Sequence, residues 1–149
     1  RSSKGIRGIG LAQGDNIVSL SIIDHNKNNS NGKSNKDDKA EIKAKDKYIL
    51  SITENGYGKR TSHYEYRVTN RGGKGVKDIK NSPRNGNVSS SFPVNEGDDI
   101  IVSTTQGILM KVPVKDISIS RRDTQGSKII KLSDDDKVLS AMKIDDNLE

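Results

Sequence analysis

A chain of 149 residues can hold one domain with a core, but an apolar content of 30% with 3% aromatics and no Trp makes that core thin. The 26 Lys and Arg residues exceed the 20 Asp and Glu, and the net charge of +6 suits a polyanionic partner without choosing between nucleic acid, heparin-like sugar and acidic membrane. The lack of Cys excludes a disulfide framework and a thiolate metal site; no apolar run is long enough for a transmembrane helix and no signal peptide is visible, so a cytoplasmic location is expected.

Near the start, Lys4-Gly5-Ile6-Arg7-Gly8-Ile9 forms a basic glycine motif that returns 70 residues later as Lys74-Gly75-Val76-Lys77-Asp78-Ile79. Residues 24–46 are almost free of apolar side chains and show no period. Such a segment cannot bury enough surface to offset its ordering entropy, and a disordered polar insertion between strands is expected. Beyond it a clean repeat of 51 residues separates Gly56 from Gly107 and Gly75 from Gly126. The same register aligns Arg60 with Lys111, Glu65 with Asp116 and Tyr66 with Ile117.

Each unit has one plan. Residues 48–53 predict a strand, Glu54-Asn55-Gly56 a tight turn, and residues 57–61 the return strand of a hairpin. A loop carrying the basic glycine motif follows, with further strands expected over 75–80 and 88–94. The next unit repeats the pattern over 100–104, 108–112, 129–132 and 138–144. The apolar residues are mostly Ile, Val and Leu, which suit a pleated surface. Four short strands per period predict an all-β, propeller-like blade, with residues 1–23 and 47–149 as blade repeats and the chain starting and ending within blades.

Charge is uneven along these units. Residues 47–80 hold eight basic and three acidic side chains, whereas the end of the chain carries Asp134, Asp135, Asp136, Asp145, Asp146 and Glu149 against Lys137 and Lys143. In Asn70-Arg71-Gly72-Gly73-Lys74-Gly75-Val76, glycines permit close approach and positive φ while Arg71 and Lys74 supply charge. A phosphate backbone asks for that combination, although an ordinary solvated turn uses the same residues. The hairpin tip Asn55-Gly56-Tyr57-Gly58-Lys59-Arg60-Thr61 adds a second basic strand. His25 and His63 are too few for a metal site, and Gly32-Lys33-Ser34 lacks the upstream glycine and flanking elements of a nucleotide-binding loop.

The succession of Ile52-Thr53-Glu54-Asn55-Gly56-Tyr57-Gly58-Lys59-Arg60-Thr61, Glu65-Tyr66-Arg67, Arg71-Gly72-Gly73-Lys74-Gly75-Val76 and Pro83-Arg84-Asn85-Gly86 resembles the C-terminal domain of the gyrase A protein family. Asp116-Ile117-Ser118-Ile119, Arg122-Asp123-Thr124-Gln125-Gly126 and the opening Lys4-Gly5-Ile6-Arg7-Gly8-Ile9 extend the match over nearly the whole chain outside the insertion. The resemblance implies a partial β-pinwheel, about half of a six-bladed ring whose positive outer rim binds and wraps duplex DNA. Arg71 to Gly75 match the last five positions of the family's Q-R-R-G-G-K-G box, but Thr69 and Asn70 replace the first two. The copy is therefore expected to be a late-blade equivalent, with the box proper upstream.

Phosphate contacts are expected from Lys4, Arg7, Lys59, Arg60, Arg71, Lys74, Lys77, Arg84, Lys111, Arg121, Arg122 and Lys128. No catalytic residue is expected: Tyr57, Tyr64 and Tyr66 lack the Arg-Tyr-Thr context of the family's cleaving tyrosine and read as strand residues packed on neighbours. By the same resemblance, the chain itself takes no metal or cofactor. ATP and Mg²⁺ would act through other domains and the gyrase B protein of an A2B2 holoenzyme in the bacterial cytoplasm, associated with the nucleoid. The acidic terminus is expected to compete with DNA for the rim. Two other readings remain open at this point: the related domain of topoisomerase IV, and a β-repeat scaffold binding protein or another polyanion.

Overall fold

The computed structural model describes residues 3–23 and 47–144. The 24–46 insertion and the terminus from Asp145 to Glu149 lie outside the described residues, and the expectations placed on them with it. Seven strands run in chain order: β1 (Tyr48–Thr53), β2 (Tyr57–Ser62), β3 (Val88–Val94), β4 (Asp99–Thr104), β5 (Leu109–Pro113), β6 (Ser127–Lys128) and β7 (Val138–Ile144). The only helical elements among the described residues are single 3₁₀ turns at His63–Glu65 and Val114–Asp116.

The strands form two antiparallel sheets in the orders β3-β1-β2-β6 and β5-β4-β7. The 51-residue repeat carries β1 onto β4 and the first 3₁₀ turn onto the second. Even the irregularity is copied: the ladder slips between Ile52 and Thr53 on β1 and between Ser103 and Thr104 on β4. Both hairpins turn at a glycine with positive φ, Gly56 at 78° and Gly107 at 81°, whose amides donate to Thr53 and Thr104. The β3 and β7 strands pack against each other, so they form the inner edge where the two blades meet. The shared core gathers Leu50, Ile52, Val94, Ile100, Val102, Val114, Ile117, Ile130 and Val138.

Two expected strands did not form. Residues 75–80 make only the isolated Ile79–Thr124 bridge, and the strand near 129–132 is reduced to Ser127–Lys128. Backbone groups of both segments bond to another repeat, Asp78 and Lys80 to Asp123 and Thr124 and Ile129 to Gly56, so they follow an inter-repeat seam instead of a regular ladder. Residues 3–23 likewise contain no regular strand. The hairpins, however, lie where the spacing placed them.

The fourth strand of the first blade is supplied by the following repeat. Short β6 lies on the outer edge, pairing Lys128 with Tyr57 and Ser127 with Gly58. Glycine makes the approach feasible: a Cβ at Gly126 would sit 2.5 Å from the Gly58 carbonyl oxygen, and Gly126 itself holds φ at 69°. Replacing Gly126 by Ala is expected to destabilise the protein by about 2 kcal/mol or more. Gly97→Ala, where a Cβ meets nothing within 4 Å, should stay within about 0.5 kcal/mol of wild type in the same thermal unfolding measurement.

Candidate nucleic-acid interface

The basic glycine motifs meet at two seams built alike. At the first, the Gly72 amide donates to the Gly8 carbonyl (2.9 Å) and the Gly10 amide to the Gly73 carbonyl (2.8 Å). At the second, Asp123 donates to the Asp78 carbonyl (2.5 Å) and Lys80 to the Thr124 carbonyl (2.9 Å). Each second-seam residue is the repeat equivalent of its first-seam counterpart, 70 residues on for Gly8 and Gly10 and 51 for Gly72 and Gly73. Gly72 has φ of 75°, and Asp123 is the one described non-glycine residue with positive φ, at 55°. Asp tolerates that conformation better than most side chains, so the clasp survives loss of the glycine.

These seams place cations in groups drawn from successive repeats, exposed apart from the half-buried Arg122. Arg7 and the exposed Lys4 accompany Arg71 and Lys74 at the first seam. Lys77, Arg121 and Arg122 share the second, where an Arg122 guanidinium nitrogen donates to the Lys77 carbonyl and the Arg122 amide to Glu65 (3.2 and 3.0 Å). A third group forms at the outer end of the first hairpin. There the Arg84 guanidinium carbon lies 4.3 Å from the Tyr57 ring centroid and the Lys128 ammonium 5.5 Å from it. Arg84 also donates to the Gln125 side-chain oxygen (2.9 Å), and its loop is held by Asn55, whose amide group donates to the Arg84 carbonyl (3.0 Å). The Arg84 hydrogen bond holds the Tyr57 phenol below its ordinary pKa against a smaller opposing effect of desolvation, and the Lys128 charge adds to the lowering.

Lys59 and Arg60 correct the sequence reading, for neither is available to a phosphate. Lys59 is 0% exposed, and its ammonium donates to the Asp78 and Arg121 carbonyls (2.7 and 2.8 Å) beside the Asp78 carboxylate at 3.2 Å. Arg60 is 4% exposed and donates to the Ile117 and Lys115 carbonyls (2.7 and 3.2 Å), stapling β2 to residues 115–120. Lys111, the repeat equivalent of Arg60, is exposed on β5 and pairs with Asp99 at 2.7 Å. Tyr57 does begin a strand and pack on neighbours, whereas Tyr64 is exposed within the first 3₁₀ turn and Tyr66 follows it.

A chain of this kind has a family. A model of the family described as "DNA gyrase C-terminal domain, beta-propeller" matches residues 1–24, 47–95 and 98–145. The chain belongs to this family. Among similar proteins, the DNA gyrase A protein of Staphylococcus epidermidis is 38% identical over 99% of this chain, which spans 15% of that relative. The DNA gyrase A protein of Granulibacter bethesdensis is 31% identical over 97% of the chain and 20% of its own length. A solved gyrase A C-terminal domain superposes with a TM-score of 0.62 at 28% identity, over 64% of this chain and 33% of the other. The C-terminal domain of DNA topoisomerase IV shares the fold, with a TM-score of 0.73 at 24% identity over 93% of this chain and 38% of the other. The all-β, propeller-like blades expected from the repeat, and the β-pinwheel that the resemblance implied, are thus the family's fold. Among the described residues no cluster of His, Cys, Asp or Glu is built to hold a metal, and no helix is long and apolar enough to cross a membrane.

What the sequence reading missed is the polar hub beneath the second seam. Asp78 pairs with Lys59, accepts a hydrogen bond from the Ser51 hydroxyl and another from the Tyr66 phenol at 2.5 Å. Burial and that bond to a carboxylate push the Tyr66 phenol far above its ordinary pKa. The signal that could have exposed the hub lies in the repeat itself: the equivalents of Ser51, Lys59, Tyr66 and Asp78 are Val102, Met110, Ile117 and Ile129, an apolar set. Val102 and Ile117 are buried and Ile129 packs against them, whereas Met110 is exposed on β5.

Lys59→Met alone strands the Asp78 carboxylate and two carbonyls and is expected to cost roughly 3 kcal/mol in a denaturant titration. Copying all four residues of the second repeat, with Ser51→Val, Tyr66→Ile and Asp78→Ile added, should recover most of that loss; a quadruple variant no more stable than the single one would refute the equivalence. In the second blade, Asp136 accepts from Thr105 and from the Gln106 and Lys137 amides, at 2.9, 3.1 and 2.9 Å. Burial raises its pKa, but these bonds and one with Thr104 together outweigh it and hold the carboxyl below its ordinary value. Its folded pKa being depressed, Asp136 stabilises the fold above about pH 4, and that contribution is lost as pH falls through the folded value. Asp136→Asn should therefore flatten part of the acid limb of the stability profile.

Proposed function

We propose that this chain is a DNA-binding and DNA-wrapping region of a DNA gyrase A protein, acting by contacts to the phosphate backbone without base readout. The observation that carries the reading is the seam. A repeated backbone clasp sets Arg71 and Arg122 at equivalent points and gathers cations of successive repeats beside them. A curved blade array with cations at a regular interval suits a bent polyanion, because neutralised phosphates and released counterions offset a bending cost on the order of a few kcal/mol per short site.

In this reading the chain contributes no reacting group. It holds DNA so that the rest of a type IIA topoisomerase passes one segment through another. ATP and Mg²⁺ would be used by other domains and by the gyrase B protein of an A2B2 holoenzyme, which introduces negative supercoils in the bacterial cytoplasm, at the nucleoid.

The test is the salt dependence of duplex affinity in the full-length protein. Neutralising Arg71 and Lys74 together with Gln is expected to lower the slope of log K against log salt by about 1.8, the value for two phosphate contacts. An affinity for duplex DNA that is independent of salt in the unaltered full-length protein would defeat the proposal.

A further inference from the structure

The two hairpin tips have the same backbone and opposite chemistry. On the first blade, Tyr57 underlies Arg84 and Lys128. On the second, the equivalent of Tyr57 is Ile108 and that of Arg84 is Asp135, each 51 residues on. The Asn85 amide donates to the Ser82 carbonyl (3.0 Å) and the Asp136 amide to the Ser133 carbonyl (3.1 Å), and only beyond these buried caps is the last loop one residue shorter. The equivalence is geometric as well: the Glu54 amide donates to the Asn87 carbonyl (2.9 Å) and the Thr105 amide to the Lys137 carbonyl (2.8 Å). Asp134 and Asp135 are both exposed, as is Ile108. The cation at this second tip, Lys137, reaches back toward Glu54 of the first (3.8 Å).

The seams change in the same direction. Arg71-Gly72-Gly73-Lys74 of the first becomes Arg122-Asp123-Thr124-Gln125 of the second, which loses one cation and gains one anion. Two features of the fold, the tip and the seam, therefore lose positive charge between one blade and the next, while the hydrogen bonds that shape them are kept.

Resting on the proposed function, and extending it, we propose that duplex DNA is held at the first blade's outer tip by a phosphate clamp of Arg84 and Lys128 mounted on the Tyr57 ring, and parts from the protein before the second tip, where Ile108 and Asp135 occupy the same places. The clamp draws its two cations from successive repeats, since Arg84 precedes β3 and Lys128 lies on β6. It exists only when β6 is seated on β2. Tyr57 is a positioning residue: its ring face attracts both cations and keeps them together against their mutual repulsion. The lowered phenol pKa agrees with a cationic environment around that ring. A duplex following the rim from this clamp would next meet two exposed carboxylates and an aliphatic side chain, and like charge against phosphate is repulsive.

The chain has no Cys, so single cysteines can be placed at Pro83 and Ser133, exposed positions beside the two tips that belong to neither clamp. Each is loaded with an iron chelate that cleaves nearby DNA, in the full-length protein bound to duplex. Cleavage from position 83 and none from 133 is expected; cleavage from both overturns the departure, and cleavage from neither, with duplex still bound, overturns the clamp. A full-length protein that binds no duplex in a salt-dependent way would instead bring down the proposed function itself. Arg84→Gln with Lys128→Gln should reduce the salt slope by about 1.8. Tyr57→Ala should reproduce most of that loss while Tyr57→Phe restores the slope, a split that a merely structural tyrosine would not produce. Conversely, Ile108→Tyr with Asp135→Arg should bring DNA within reach of the position-133 chelate, and continued silence there counts against the tip chemistry as the cause.

Discussion

The structure depends on one act of sharing: the outer strand of the first blade comes from the repeat that follows it. Two ladder pairs hold β6 to β2, far too few to stand alone, so the join relies on what surrounds it. The Ile129 amide donates to the Gly56 carbonyl at 2.8 Å, Ile130 is buried in the common core, and Gly58 and Gly126 let the two backbones approach without a Cβ between them. An isolated two-stranded pairing is marginal in water. Here it is stable because the same residues that complete one blade begin the next. Stability is thereby coupled between neighbours, as in other repeat architectures, where each unit leans on the interfaces beside it.

Sharing also explains which charges are buried. A blade face pressed against a neighbour must satisfy the carbonyls of the connecting chain, and in the first blade Lys59 and Arg60 do so. Their nitrogens donate to carbonyls of Asp78, Lys115, Ile117 and Arg121, spread from 19 to 62 residues away in sequence. The Arg60 guanidinium also faces the Tyr48 ring at 5.2 Å. Each is a long cation used as a backbone staple, with a charge that remains inside the protein. In the second blade the residue at the Lys59 position, Met110, lies exposed on β5, while Val102 and Ile117 at the Ser51 and Tyr66 positions are buried in the core.

Much of the fold was legible because it repeats. The 51-residue spacing located β1, β2, β3, β4, β5 and β7 to within a residue or two, since a glycine turn flanked by β-branched runs has few other conformations. The segments over 75–80 and 129–132 were misjudged for one reason. Their composition suits a strand, but their partners lie in another repeat, and pairing across repeats is invisible to local pattern. The candidate surface was less legible. Arg71, Lys74, Lys77, Arg84, Arg121 and Lys128 do reach solvent, whereas Lys59 and Arg60, in a stretch no less basic, do not. Charge in a sequence does not say whether a side chain faces water or a row of carbonyls. Nor does the repeat settle it, for the position tolerates Lys59 buried in one blade and Met110 exposed in the next.

That tolerance bears on how such a protein sets the path of its ligand. The residues that shape a tip or a seam are glycines, backbone amides and a few buried caps such as Asn85 and Asp136; the residues that face outward from it are separate. Tyr57 and Arg84 can become Ile108 and Asp135 with the turn, the ladder slip and the clasp all retained. Folding constrains the inward set and leaves the outward set free to vary blade by blade. Charge can then be graded from one blade to the next on a nearly constant fold, and on the proposed reading that gradient, not the fold, would set where DNA is held and where it is released.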